Sequence, residues 1–207
     1  MIPCSQKVDW KDPAVGSRMH LMPYSVLSDE TALGVEVYYE RGSKTAGRYI
    51  HGSTIARPCV TINCGSSRAS RRHTFWHEIG HVLDFSQFDA HGLRDDAPEN
   101  KYSHFLEPQL EFYKDVINID WERYRNFEDM SPPDPLTYDW YAAGGEDPIE
   151  LFARLIPLVV LYPMTSKSKM PDLHEEVVKI LYLELALTRI PRETINRFRR
   201  RLVGAGN

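Results

Sequence analysis

The chain has 207 residues, 42% of them apolar and 26% charged, with a formal net charge of −4. This length suits one domain with a proper core rather than two, and a balance so near neutral excludes a general attraction to nucleic acid or to membranes, leaving only local patches for such partners. No run approaches 18 apolar residues, which excludes a helical membrane span, and the opening MIPCSQKVDW lacks the basic-then-apolar pattern of an export signal. The expected location is the cytoplasm, or a compartment reached by a delivery route that needs no such signal. Three cysteines, an odd number, argue against a disulfide scaffold. Cys59 and Cys64 lie on a stretch that reads as a strand, where five steps separate them by about 16 Å, so they are expected to be packing residues.

Residues 1–30 hold Pro3, Pro13 and Pro23 among polar neighbours and read as an arm ahead of a single domain over 31–207. LGVEVYYE then alternates Val35, Val37 and Tyr39 with polar residues, the period of a half-buried strand. AGRYIHG and TIARPCVTINC predict one or two more strands. Pro58 has no N–H and is expected on an edge or at a strand start. After Gly65-Ser66-Ser67 the period becomes helical, with Phe75, Ile79, Val82, Leu83 and Ser86 on one stripe. Residues 89–103 read as a loop, and two helical segments follow near 104–117 and 119–127. The Pro-rich stretch SPPDPLTYDWYAAGGEDP leads to a helix with a clear start: Asp147 as N-cap, Pro148 at the first position and Glu150 completing a capping box. Its stripe is Ile149, Phe152, Ile156, Val159 and Val160, and Pro157 is expected to kink or shorten it. Segments 172–188 and 191–203 predict two closing helices. The expected architecture is α+β: a small mixed sheet on the helix after residue 67 (31–100), then a mainly helical lobe (101–207).

The segment HTFWHEIGHVLDF carries the chemistry. In an α-helix, residues four apart lie nearly above one another, about 5–6 Å between Cβ atoms, so His77 and His81 can bind one zinc ion at about 2.0–2.1 Å. Glu78, a quarter turn away, is poorly placed as a ligand but can reach a water at the ion, as the general base of metal-assisted peptide hydrolysis. The plain alternative is a buried helix that happens to hold two histidines. Against it stand the uncharged Ile79 and Gly80 between them, the apolar opposite face, and Gly80 itself, which costs about 1 kcal/mol in helix propensity yet lets another element approach closely. Asp84 lies on the ligand face and reads either as an acid orienting a histidine or as a solvated surface aspartate. His73, one turn before His77, reads either as a residue lining the cleft or, preferably, as a capping or surface residue.

A catalytic zinc needs a third protein ligand and an open position. The long metzincin motif would need Gly at 84 and His at 87, where Asp84 and Gln87 stand. His91, His104, Glu107, Glu111 and Asp139 are conceivable ligands. Glu150 in GEDPIELFARLI is preferred because it sits one turn into a helix with an apolar packing face and a loop before it. HEIGHVLD followed by a Tyr-rich loop and ELFAR resembles the lethal-factor-type gluzincins, the group that includes the Pro-Pro endopeptidases. The resemblance spans about residues 57–165 and implies a zincin-like fold, one Zn2+, Glu150 as third ligand and Glu78 as catalytic base. It departs from that family at Arg154, where the family has a second glutamate, and at Ala143, where it has a tyrosine; Tyr141 or Tyr138 would then supply the donor to the oxyanion. The gap from His81 to Glu150 is also longer, which implies an extra helix. Glu146 becomes the ligand if the relevant resemblance is instead to the ImmA/IrrE-type, repressor-cleaving metallopeptidases.

The leading expectation is a zinc endopeptidase acting on a protein or peptide laid along an edge strand near Pro58 to Cys64. Two rivals stand beside it: a non-catalytic regulatory protein stabilised by its metal, and a nucleic-acid-associated protein using Arg192, Arg197, Arg199, Arg200 and Arg201. Arginines late in a helix complement its dipole and stay solvated, which is the simpler account of that tail.

Overall fold

The computed structural model describes residues 6–7, 36–40, 46–50, 59–63, 68–91, 102–125, 147–186 and 192–204. Its strands are β1 (Gln6–Lys7), β2 (Glu36–Glu40), β3 (Gly47–Ile50) and β4 (Cys59–Asn63), in the spatial order β1-β2-β4-β3. β2 and β4 are parallel, with Val37 opposite Val60 and Tyr39 opposite Ile62. β3 runs antiparallel to β4 and β1 antiparallel to β2. β1 falls inside the segment expected to be an arm, so two of its residues belong to the sheet. The expected edge near Pro58 to Cys64 is overturned, because β4 lies between β2 and β3. Val60, Thr61 and Ile62 are at most 1% exposed. Three consecutive buried residues are the mark of a strand covered on both faces, which the alternation Val60-Thr61-Ile62-Asn63 hides. The edge beside the helical layer is β3.

Helix α1 (Arg68–His91) lies against β3 and β4. Phe75, Trp76, Ile79, Val82 and Leu83 bury its inner stripe. It continues to His91, past the expected loop start at residue 89. α2 (Tyr102–Phe105) is one turn long, and α3 (Glu107–Arg125) is continuous where two segments were expected. Buried Ile117 and Trp121 hold α3 through the region where a break was predicted, since tertiary burial outweighs weak local propensity.

Helix α4 (Pro148–Leu161) begins as its cap predicts: the Ile149 N–H donates to Asp147 Oδ1 at 2.9 Å. Contrary to expectation it is not cut short at Pro157, and residues 151–160 are all buried. A helix packed against α1, α2, α3, α5 (Pro163–Lys169) and α6 (Pro171–Ala186) continues past one missing N–H. α5 was not anticipated. α7 (Arg192–Val203) packs Ile195, Phe198 and Leu202 into the same core. Buried His174 joins these last helices, with Nδ1 3.1 Å from Ser166 Oγ and Nε2 2.9 Å from the Leu202 carbonyl. The arginines of α7 are exposed; Arg197 faces Glu193 at 3.4 Å and Arg199 lies 5.0 Å over the Tyr182 ring. Among the described residues no helix is long and apolar enough to cross a membrane.

The α+β expectation holds at the level of a small mixed sheet on a helix, followed by further helices.

Candidate metal centre

Helix α1 shows different neighbours to its successive faces. Thr74 and Glu78 meet β3: a Cβ built on Gly47 would lie 2.4 Å from Thr74 Cγ2 and 3.0 Å from Glu78 Oε1. Gly80 meets α4, where an added Cβ would lie 2.6 Å from Ala153 Cα and 3.2 Å from its carbonyl. Only a hydrogen fits there, so the glycine sets how closely α4 approaches. His77 and His81 point into the angle between these two contacts. Glu150, one turn before Ala153, arrives in front of them.

The result is one carboxylate facing two imidazoles. Glu150 Oε1 is 3.3 Å from His81 Nε2, and Glu150 Oε2 is 3.6 Å from His77 Nε2. The rings stand 4.9 Å apart at 88°. A charge-assisted N–H···O bond would draw such atoms to about 2.7–2.9 Å. Ligands held at about 2.0–2.1 Å around a tetrahedral zinc stand about 3.3 Å from one another, close to the spacing seen. The three side chains form a group whose ligand atoms lie within 4.8 Å of one another. Side-chain exposures of 12% for His77, 13% for His81 and 27% for Glu150 leave the centre open to solvent on one side, as a site with a free coordination position requires.

Electrostatics divide the groups. Burial holds the His77 pKa well below its ordinary value, overcoming the pull of Glu150, so His77 is a neutral imidazole ready to donate a lone pair. Burial also acts to lower His81, but the close approach of Glu150 and the charges of Glu78, Glu150 and Asp84 raise it overall. Burial would raise Glu150, yet the His81 bond, the two imidazoles and Arg154 bring it down to about 2. Glu78 goes the other way: burial, with Glu150 assisting, raises it to about 7 against His81, the Tyr49 N–H that donates to it, and Arg48. Glu78 is 5% exposed.

The other candidates fall elsewhere. Asp84 is not a solvated surface aspartate: at 1% exposure it is buried, it accepts from Ser103 N at 2.8 Å and Ser103 Oγ at 2.7 Å, pinning α2 to α1, and its charge acts on His81. His73 is not at the surface; it is fully buried, with its ring 4.4 Å from that of Trp121. His91 ends α1, ten residues beyond His81 and so about 15 Å further along the axis, too far to share an ion. His104 faces Glu107 at 3.7 Å, and Glu107 and Glu111 are exposed, outside the His-His-Glu group. Tyr138, Asp139, Tyr141, Glu146 and Cys64 lie outside the described residues.

Sequence reasoning missed a supporting wall. Trp121 of α3 sets its ring 4.8 Å from that of His77, and Asn118 Oδ1 accepts from Arg154 Nη1 at 2.8 Å. The i,i+4 pairing of Glu150 with Arg154 was readable, but not that Arg154 is only 6% exposed. No spacing rule links Trp121 to His77, because the two meet only when α3 and α1 pack. No protein-family model, curated protein or solved structure matches this chain, so the chemistry of the site alone carries the functional reading.

Proposed function

We propose that this protein is a zinc-dependent endopeptidase of zincin-like architecture, with His77, His81 and Glu150 holding one ion and Glu78 serving as general base and acid. The observation that carries this reading is the meeting of Glu150, from a helix 69 residues after His81 in sequence, with the two histidine Nε2 atoms at 3.3 and 3.6 Å. The ion, when bound, supplies Lewis acidity toward a water and a scissile carbonyl. Glu78, with its pKa near 7, is matched to taking a proton from the attacking water and handing it to the departing amine as the C–N bond breaks. The Tyr49 N–H fixes the carboxylate that does so. An extended polypeptide fits best along β3, the strand edge beside Glu78, where the backbone can hydrogen-bond it in register. Tyr141 or Tyr138 is assigned the hydrogen bond to the oxyanion, worth a few kcal/mol where the donor is well placed. The lethal-factor-type resemblance agrees with this assignment of roles, and the approach of Glu150 to the histidines favours it over a ligand at Glu146.

The decisive experiment measures bound zinc and cleavage of a mixed peptide library by the parent and by Glu78→Gln. Stoichiometric zinc in both, with turnover lost by about 10²–10⁴-fold in the variant, is the expected result. Equal turnover in both removes Glu78 from the mechanism. The deep burial of Glu78 favours one rival, a non-catalytic protein stabilised by its metal, and parent protein that binds zinc but cleaves nothing in the library would support that rival.

A further inference from the structure

Buried charge is expensive unless neutralised and hydrogen-bonded, and Arg154 is a guanidinium placed deep in the core, one turn after Glu150 on α4. Three of its contacts bear on the centre. Nη1 donates to Asn118 Oδ1 at 2.8 Å, Nε stands 4.0 Å from Glu150 Oε2, and Cζ lies 5.9 Å over the Trp121 ring. Trp121 also packs on His77 and His73. Asn118, Trp121 and Arg154 thus back the centre on the flank remote from β3 and Glu78. At 4.0 Å the guanidinium is too far for a tight fork on the carboxylate, but it places a fixed positive charge behind the carboxylate, on the side of Oε2.

We propose that Arg154, anchored by Asn118 and Trp121, is a positioning residue that holds the Glu150 carboxylate between His77 and His81 before an ion arrives. This rests on the metal-centre reading. A carboxylate on an otherwise free side chain loses rotamer freedom when it binds an ion; the arginine bracket removes part of that loss in advance. Trp121 links the bracket to the first histidine, so one face of α3 organises two of the three ligands.

The test is zinc affinity by competition with a chromogenic chelator, together with the visible absorption of the Co2+-substituted protein. Arg154→Met, which keeps the bulk of the stem, is expected to weaken zinc binding by about 10–100-fold, the range for outer-sphere partners of metal ligands, and to alter the Co2+ bands. Arg154→Lys, which retains the charge without the planar fork, should recover most of that affinity. Asn118→Ala leaves Arg154 in place but frees it, and a loss of at least threefold is expected. Should Arg154→Met fail to fold, the lysine and Asn118→Ala variants decide. A folded Arg154→Met, or Asn118→Ala, with parental affinity and an unchanged Co2+ spectrum overturns the proposal while leaving the metal centre intact. A parent chain that binds neither ion overturns both.

Discussion

Two glutamates lie beside the same pair of histidines and end in opposite states. On the β3 flank, Glu78 meets a strand and the Tyr49 N–H; burial outweighs that bond and the charges of His81 and Arg48, and its pKa rises to about 7. On the α4 flank, Glu150 is half-buried, and two imidazoles and Arg154 bring it down to about 2. Burial pushes both upward, so the countercharges decide the difference. One carboxyl can carry a proton at neutral pH, and the other is a permanent anion suited to a cation. Pairs of titratable groups driven apart by their surroundings mark acid–base assignments in active sites, and here the division follows from which element each glutamate faces.

The comparison breaks most completely at Glu150. Glu150→Ala removes the only carboxylate facing both imidazoles among the described residues, so zinc affinity should fall well beyond the ~10–100-fold typical of an outer-sphere partner. Equilibrium dialysis with metal analysis checks this. Full occupancy in the variant would return the search for a ligand to Glu146 and Asp139.

Glu78 can be examined without turnover. In chelator-treated protein its raised pKa stabilises the fold below the ordinary value of 4.5, and that contribution disappears as pH rises through about 7. Glu78→Gln should remove this slope, making the variant more stable than the parent at pH 8 relative to pH 4.5 by about 1–3 kcal/mol, read from urea midpoints. Glu150 has the opposite sign: its contribution is present above 4.5 and lost as pH falls toward 2. Parallel slopes in parent and Glu78→Gln would remove the contrast between the two flanks.

Gly80→Ala sharpens the comparison by moving one flank only. The new Cβ would meet Ala153 backbone at 2.6 Å; overpacking of this kind costs about 1–3 kcal/mol, against about 1 kcal/mol regained in helix propensity. The expected outcome is a small net loss of stability with weaker zinc binding, because α4 carries Glu150 away as it shifts. Stability lower with zinc affinity unchanged would uncouple the helix contact from the site.

The smallest effect is on affinity against pH. His81 has a raised pKa and must shed its proton to bind an ion, so zinc binding should weaken by up to about tenfold per pH unit below that pKa. Competition titrations at pH 6 and pH 8 measure it. A flat profile would mean that His81 is already neutral when the ion arrives.

Local order was legible to different depths. The cap at Asp147, the stripe of α1 and the meaning of Gly80 follow from geometry within one turn of helix, where sequence spacing is spatial spacing. The edge strand was misread because Pro58 suggested an edge and the polar Thr61, between Val60 and Ile62, reads as a solvent-facing position although it is buried. The break predicted within α3 failed for a related reason: Ile117 and Trp121 are buried by other elements, and such burial has no local signature. A surface position was expected for His73 and was one of two readings of Asp84; both are buried, beside partners distant in sequence, Trp121 and Ser103.

By itself the sequence determined that two imidazoles share a helical face with a glutamate beside them, because a turn of 3.6 residues leaves no other arrangement. Tertiary structure alone decided which carboxylate completes the group, which of the described strands lies at the sheet edge beside Glu78, and which side chains, Arg154 and Trp121 above all, stand behind the ligands. Those outcomes depend on how closely α4 and α3 pack on α1, and close packing is set by the sum of many distant side chains rather than by any spacing along the chain.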